Sequence, residues 1–415
     1  MHTGRTEKRF KEEFGKVGIE VNGTRDFDIQ VRNPDLYTRI AKEGLEGLND
    51  SYVDGWWDCD RIDVLSERAI GGDLPKIFAN HPRVWKKFLK EKMFNLQTRR
   101  HSKADIHKHY DLPPELFMSF LGETRQYSCA YWDGLNRKDH GDLDKAQRQK
   151  MELIALKARL EPEMRVLDIG CGWGGLARHF ATRHGVDVVG ITLSEEQANS
   201  ARNFCEDLGD KIEIRIQDYR DVKDKFDRIV SVGMVEHVGQ KNYGDYFGSA
   251  LKALKDKDGL FVLHGFTSRE SFPNRERSEV NWFSRRNGIF PGMVIPSPKQ
   301  LAGAFEKRFV IEDVHNFGVD YDPTLMAWDH NFRENWDKLK ESSELFAQWP
   351  EEKQNRFYRR WHHYLTFCAG AFRARRYQLH QYVLSPEGVS GGYKAPREIP
   401  RSYGQHSKVA SEVEV

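Results

Sequence analysis

The spacing of apolar residues changes once along the chain, near residue 100. Before that point, the apolar residues between Leu36 and Leu48 recur at roughly helical intervals, and Asn33-Pro34 marks a helix start. This pattern predicts a small, mainly helical N-terminal unit over residues 1–105, which ends in a basic linker. The polar tail over residues 397–415 is predicted to be flexible.

Residues 106–396 follow a different pattern, in which short apolar runs alternate with amphipathic segments. This alternation is typical of a parallel sheet covered by helices on both faces, so the predicted fold class is α/β and Rossmann-like. The predicted strands are Val166–Ile169, Val186–Leu193, Ile212–Gln217, Phe226–Val232 and Leu260–Leu263. The predicted helices between them are Leu176–Gly185, Glu195–Leu208 and Tyr243–Leu254.

The first of these strands runs into a glycine-rich loop, Gly170-Cys171-Gly172-Trp173-Gly174-Gly175. Glycines let the backbone turn sharply and let a ligand approach it closely, so the loop predicts a nucleotide-type cofactor. The second strand ends at Thr192-Leu193-Ser194, without the acid that holds the ribose of a dinucleotide. Asp218-Tyr219 closes the third strand, where a nucleoside base can bind, and Asp168 can lie near a cationic sulfonium. These features favour an S-adenosylmethionine-dependent methyltransferase domain.

Composition narrows the possible partners and compartments. The formal net charge is only +2, so the whole molecule gives no reason to expect a nucleic-acid partner. Two stretches, Lys76–Lys108 and Asn355–Tyr377, are locally basic, and each could meet an anionic surface or form a solvated helix face. The five cysteines form no CxxC pair, which indicates a reducing compartment without a disulfide framework or metal site. Since neither a signal peptide nor a long apolar run is found, we expect a cytoplasmic protein with peripheral membrane contact at the inner face.

Several motifs together identify a wider resemblance. They are YDLPPELF (110–117), QYSCAYW (126–132), RVLDIGCGWGGLA (165–177), GITLSEEQ (190–197), QDYRD (217–221), FDRIVSVGMVEHVGQKNY (226–243), FGVDYDPTLMAW (317–328) and CAGAFRARRYQL (368–379). With these motifs the chain resembles cyclopropane-fatty-acyl-phospholipid synthases over nearly its whole length. The resemblance implies methylene transfer from S-adenosylmethionine to the cis double bond of phospholipid acyl chains, by a homodimer acting at the bilayer.

The resemblance also implies how the reaction proceeds. Attack of the alkene on the sulfonium methyl leaves a carbocation, and a base must then remove a proton so that the ring closes. Proteins of this family are similar in using a bound bicarbonate ion as that base. Its holders here would be Cys129, Glu236, His264, the backbone N–H of Phe266, and Tyr321, with Cys368 as an outside candidate.

Glu236 has the central role in this hypothesis, because it would orient and activate the bicarbonate. We expect its pKa to stay low enough for the carboxylate to remain ionised in an apolar pocket. Each residue has an ordinary alternative: a surface carboxylate for Glu236, a core histidine for His264, a loop anchor for Tyr321, and apolar packing for the cysteines. The implied cofactor residues are Tyr127, Ser128, Asp168, Gly170, Gly172, Gly174, Thr192, Leu193, Gln197, Asp218 and Tyr219.

Two other functions stay open at this point. The same site could leave a methyl branch on a lipid instead of a ring. A non-catalytic lipid- or nucleic-acid-binding protein could use the two basic stretches, although the intact cofactor loop argues against it. The stretch Phe266–Pro298 mixes apolar residues with arginines. We interpret it as a lid and acyl-channel wall, with a plain long insertion as the alternative.

Overall fold

The computed structural model describes residues 2–74, 112–271, 289 and 293–399. The N-terminal unit is mainly helical. The apolar residues between Leu36 and Leu48 belong to two helices and not to one, because Gly44 has a positive φ of 65° and ends the first helix. A small antiparallel sheet accompanies these helices. The helices are α1 (His2–Lys16), α2 (Leu36–Glu43), α3 (Leu45–Val53) and α4 (Ile62–Gly71), and the strands are β1 (Gln30–Val31) and β2 (Trp57–Asp58).

A seven-stranded sheet forms the centre of the larger part of the chain. Its strands are β3 (Arg165–Ile169), β4 (Asp187–Thr192), β5 (Ile212–Ile216), β6 (Arg228–Val232), β7 (Leu260–Ser268), β8 (Val310–Asn316) and β9 (Tyr377–Ser385), in the order β5-β4-β3-β6-β7-β9-β8. The five predicted strands are present and parallel, which confirms the predicted α/β fold class. The pattern did not predict β8 and β9, which add an antiparallel edge beyond β7.

Helices cover both faces of this sheet. The helices of this larger part of the chain are α5 (Pro114–Leu121), α6 (Leu143–Ala158), α7 (Gly175–His184), α8 (Glu195–Phe204), α9 (Val235–Val238), α10 (Tyr243–Ala253), α11 (Pro298–Phe305), α12 (Tyr321–Ser342), α13 (Glu344–Ala347) and α14 (Glu351–Arg373). One apolar cluster joins α6 and α7 to the sheet, and another joins α10 and α11 to it. The helix predicted over Glu195–Leu208 is shorter than expected, because a 3₁₀ segment with a kink at Gly209 follows Cys205.

The N-terminal helices pack directly on the C-terminal ones. Helix α4 crosses α14 so closely that a Cβ on Gly370 would lie 1.9 Å from Ser66 Oγ. The arginines of α14 face this contact: Arg359 donates to Trp57 O and to Asp58 Oδ1, both at 2.9 Å, and Arg373 binds acids on both sides. The hypothesis that Asn355–Tyr377 meets an anionic surface is therefore wrong for these arginines, which stabilise an internal contact.

Other expectations fall partly beyond the described residues. The basic stretch Lys76–Lys108, the predicted linker and most of Phe266–Pro298 lie outside them. The first residue of the predicted flexible tail, Arg397, is held by Asp313, with Arg397 Nη1 at 2.9 Å from Asp313 Oδ2. Within the described residues, no helix combines the length and apolar character needed to cross a bilayer. All five cysteines are buried and free.

Candidate active site

A pocket opens at the carboxyl ends of β3, β4, β5 and β6, where loops from neighbouring parallel strands converge. All the predicted cofactor residues except Gly174 line it. They are Tyr127, Ser128, Asp168, Gly170, Gly172, Thr192, Leu193, Gln197, Asp218 and Tyr219. Residues from four separate sequence motifs thus line one continuous pocket.

The glycine loop forms one wall of this pocket. Gly172 has φ 54°, and a Cβ built there would meet no protein atom within 4 Å, so its missing side chain leaves open space. Gly174 has φ 85°, but its Cβ would lie 3.0 Å from the Cβ of Ala201 on α8. Gly172 therefore gives access to a ligand, whereas Gly174 allows α7 and α8 to approach each other.

The polar groups at the ends of β4 and β5 are held in place by local hydrogen bonds. Thr192 Oγ1 donates to Gln197 Oε1 at 2.9 Å. The Asp218 carboxylate accepts from the backbone N–H of Arg220 at 2.9 Å and from its guanidinium at 2.6 and 2.8 Å. These contacts fix both residues at the pocket wall before any ligand binds.

Asp168 is the buried acid of the pocket. It is 1 % exposed, and neither carboxylate oxygen has a hydrogen-bond partner within residues 2–74, 112–271, 289 and 293–399. Burial raises the pKa of Asp168 to about 7, and the positive charge of Lys150 opposes that rise. A buried carboxyl without partners is costly unless a cationic ligand supplies the missing interaction.

Glu236 lies behind the pocket, on α9 and not at the end of a strand. Its Oε1 accepts the backbone N–H of Phe266 at 2.7 Å, and its Oε2 is buried without a hydrogen-bond partner among the described residues. Burial raises the pKa of Glu236 to about 7, although the Phe266 N–H and the backbone N–H of Glu236 itself lower it. The expectation that the donors keep this pKa low is therefore wrong, because desolvation outweighs them.

His264 lies on β7, directly opposite Gln381 on β9. The Gln381 amide nitrogen is 3.1 Å from His264 Nδ1, so Nδ1 accepts and Nε2 carries the hydrogen. In the part of the chain that the structure describes, His264 Nε2 is buried without a partner, and burial lowers the pKa of the ring well below its usual value. The imidazole is therefore a neutral donor with a free N–H.

Tyr321, at the start of α12, brings the remaining candidates together. Cys129, Glu236 and Cys368 all interact electrostatically with Tyr321. The centroid of the Tyr321 ring lies 4.5 Å from that of Phe372. Burial raises the pKa of both cysteines, which keeps them as neutral thiols. This arrangement argues against a thiolate nucleophile and fits packing or weak hydrogen bonding.

Comparison with known proteins identifies the family. The family model for mycolic acid cyclopropane synthetase matches residues 97–382. The chain belongs to this family. It is 44 % identical to a cyclopropane-fatty-acyl-phospholipid synthase of Escherichia coli, over 92 % of this chain and 94 % of the relative. It is 30 % identical to a probable fatty acid methyltransferase of Pseudomonas putida, over 89 % of each chain.

A solved structure of a mycolic acid cyclopropane synthase, complexed with SAH and CTAB, superposes with a TM-score of 0.58. The two proteins are 29 % identical, and the match covers 68 % of this chain and 98 % of the other. These comparisons confirm the predicted family and the Rossmann-like methyltransferase fold. They also confirm the predicted enzyme class, an S-adenosylmethionine-dependent methyltransferase.

Several residues of this cyclopropane synthetase site were missed by the sequence reasoning. Gln126, Trp173 and His237 line the pocket, each next to a residue that was predicted. Lys150, on α6, is completely buried and donates hydrogen bonds to Gln126 and Ser128 of the pocket wall. A signal for Lys150 existed in the sequence, because it interrupts the stripe that includes Leu143, Ala146 and Leu153. A lysine on a buried helix face usually has a specific partner.

Proposed function

We propose that this chain is a cyclopropane-fatty-acyl-phospholipid synthase, which transfers a methylene group from S-adenosylmethionine to the cis double bond of a phospholipid acyl chain. The observation that carries the proposal is the pair of buried, incompletely bonded groups, Glu236 Oε2 and His264 Nε2, behind the cofactor pocket. Met234 and His237, on either side of Glu236, line that pocket. The identity with the Escherichia coli synthase over nearly the whole chain supports the same activity.

The chemistry defines what the protein must provide. The alkene π electrons form a bond to the methyl carbon, while the carbon–sulfur bond breaks and its electrons stay on sulfur. A base then takes a proton from the transferred carbon, and the electrons of that C–H bond close the ring. The carbocation between these steps must be kept from water and near aromatic rings. Phe266, Tyr321 and Phe372 supply such a wall, with ring centroids of neighbouring pairs 4.5–6.1 Å apart.

We further propose that bicarbonate is the base and is held by Cys129, Glu236, His264 and Tyr321. Glu236 Oε2 offers a free acceptor for the O–H of the ion, and His264 Nε2 offers a free donor for one of its oxygens. The backbone N–H of Phe266 already donates to Glu236. We therefore assign it the role of orienting Glu236. When bound, the ion would supply the basic oxygen that accepts the proton.

The Glu236→Gln variant tests the catalytic assignment. It keeps the acceptor for the Phe266 N–H but cannot become a carboxylate, so methylene transfer should fall by roughly 10²–10⁴-fold. S-adenosylmethionine affinity, measured by calorimetry without lipid, should stay close to that of the wild type. Mass spectrometry of lipids from a host expressing each protein measures the product. Methylene transfer at the wild-type rate in the variant would show that the assignment is wrong.

A methyl-branched product is the second candidate, since the Pseudomonas putida relative is a probable fatty acid methyltransferase. The two products differ in the fate of the carbocation. A cyclopropane adds one CH₂ to the acyl chain, removes the olefinic proton signals and gives upfield ring protons in NMR spectra. A saturated branch adds two further hydrogens, and a methylene branch keeps an olefinic signal. Either of these spectra from the purified enzyme would replace the cyclopropane proposal.

A phospholipid substrate implies membrane contact, whereas the dimer is an expectation from the family resemblance alone. We propose a cytoplasmic homodimer that associates peripherally with the inner face of the membrane through Lys76–Lys108, which holds ten Lys/Arg and two acids. Binding to vesicles should strengthen with anionic lipid and weaken with salt. Salt-insensitive binding would exclude this electrostatic contact. Analytical ultracentrifugation at several protein concentrations tests the dimer, and a monomer throughout would exclude it.

A further inference from the structure

Lys150 is a fully buried lysine in the middle of α6. Its side chain points away from solvent, toward residues 126–128, which directly precede Cys129. Removing an ammonium group from water costs several kcal/mol unless polar partners replace the water. A lysine kept in such a place therefore needs a specific set of partners.

Those partners belong to the pocket wall. Lys150 Nζ donates to Gln126 Oε1 and, at 2.9 Å, to Ser128 Oγ. One helical turn earlier, Gln147 Nε2 donates to the backbone carbonyls of Ser128, at 2.8 Å, and Gln126, at 3.4 Å. Two residues on one face of α6 thus hold the segment 126–128. Lys150 binds the side chains of this segment, and Gln147 binds its backbone carbonyls. This segment carries Tyr127 and Ser128 into the pocket.

The charge of Lys150 has a second set of neighbours. Across the described parts of the chain, no carboxylate lies within ion-pair distance of its Nζ. Burial lowers the pKa of Lys150 to about 7, although electrostatic interaction with Cys129 and Asp168 opposes this fall. Its charge also acts on His264. Among the described residues, Asp168 has no hydrogen-bond partner, and the positive charge of Lys150 lowers its pKa against the effect of burial. The ammonium thus interacts electrostatically with the acid of the cofactor pocket and with two residues of the proposed bicarbonate site, Cys129 and His264.

We propose that Lys150 is a positioning residue: its hydrogen bonds fix the segment 126–128, and its charge keeps Asp168 ionised for the sulfonium of S-adenosylmethionine. The inference rests on the proposed position of the cofactor. Charge and hydrogen bonding have separable consequences. Without the charge, Asp168 would hold its proton to higher pH, so affinity for a cationic ligand would be lost first at neutral pH. Loss of the hydrogen bonds alone would lower the affinity equally at every pH.

Two matched variants on one helix separate these effects. Lys150→Met removes the charge and the hydrogen bonds, whereas Gln147→Met removes only neutral hydrogen bonds to the same segment. Calorimetry of S-adenosylmethionine and of uncharged-sulfur S-adenosylhomocysteine, between pH 6 and 9 without lipid, is the assay. At pH 7 we expect loss of the charge in Lys150→Met to weaken S-adenosylmethionine binding by about fivefold. A rise of one unit from a pKa of about 7 would lower the ionised fraction of Asp168 from about a half to about a tenth. The midpoint of its pH profile should move upward, and S-adenosylhomocysteine should lose less affinity.

Gln147→Met should weaken both ligands similarly and leave the pH midpoint unchanged. Parallel pH profiles for Lys150→Met and the wild type would overturn the role of the charge. Unchanged affinity in Lys150→Met would overturn the whole proposal. If Lys150→Met does not fold, Lys150→Gln keeps a donor and loses the charge, and the same profile shift is expected. Because binding is measured without lipid, a wild-type protein that binds the cofactor but forms no ring would contradict the proposed function and not this inference.

Discussion

Gly172→Ala is a direct test of where the cofactor binds. Gly172 has φ 54°, and its missing Cβ would point into space that contains no protein atom within 4 Å. An alanine there has two separate costs. One is the left-handed backbone conformation, which destabilises the fold by about 1–2 kcal/mol. The other arises only when a ligand fills the space beside the loop.

Gly55 provides a matched control, because it also has a positive φ, 73°, and an open space around its Cβ, but it lies in the N-terminal unit. Both alanine variants should therefore lose similar folding free energy in urea denaturation. Only Gly172→Ala places a methyl group against the ligand. If that overlap costs about 1–3 kcal/mol, as overpacking does, S-adenosylmethionine affinity should fall by roughly 5- to 150-fold.

Calorimetric titration of S-adenosylmethionine and S-adenosylhomocysteine into the three proteins measures this effect. Both ligands should lose affinity in Gly172→Ala, since the loop contacts a part they share, and Gly55→Ala should bind like the wild type. Wild-type affinity in Gly172→Ala would refute the position of the cofactor. An equal loss in Gly55→Ala would show that backbone strain, and not contact with the ligand, explains the result.

Two further predictions concern stability. Arg373 binds Asp63 of α4 at 2.8 Å and Asp322 of α12 at 2.7 and 2.8 Å. Arg373→Met should therefore lower the free energy of unfolding, measured in urea, by about 3 kcal/mol, while Arg375→Met, at an exposed position, should change it little. Equal effects of the two substitutions would contradict a stabilising role for the Arg373 contacts. Although burial favours neutral Glu152, hydrogen bonds from His179 and His184 lower its pKa to about 2, so Glu152→Gln should cost about 3 kcal/mol at pH 7. Because the folded pKa lies below the ordinary value of 4.5, this cost should shrink as the pH falls from about 4.5 towards 2, and a pH-independent difference would refute the assignment.

The sequence predicted the parts of the fold that depend on local patterns. The strands β3, β4, β6 and β7 are largely buried and are rich in apolar residues, so they can be predicted without any knowledge of their neighbours. Strand β5, at the sheet edge, alternates apolar and charged residues, which is also a local strand pattern. Strand β9 pairs antiparallel with both β7 and β8, although two long helices lie between β8 and β9 in the sequence. Its place in the sheet depends on these distant pairings, so no local pattern revealed it.

Protonation states at the site could not be predicted in the same way. The motifs located Glu236 and the Phe266 N–H, which do meet at 2.7 Å. Whether a carboxyl stays ionised depends on how completely it is buried, and Glu236 has 0 % exposure. Lys150 was missed although it interrupts an apolar stripe of α6, because a lysine in an amphipathic helix is usually solvated. Only the packed structure shows that it points inward.

The two buried acids of the site respond to charge in the same direction. Asp168 and Glu236 both have pKa values raised to about 7 by burial, and each has at least one oxygen without a partner. A nearby cation lowers the pKa of such a group and strengthens its ionised form. On the proposed mechanism, the sulfonium reaches Asp168 when the cofactor binds, and the positive charge moves to the acyl chain, toward Glu236, when the methyl group is transferred. On this mechanism, each carboxyl would become more acidic as the cation that it stabilises arrives, and Asp168 would do so in addition to the effect of Lys150. Such a response would favour the charged transition state over the empty site.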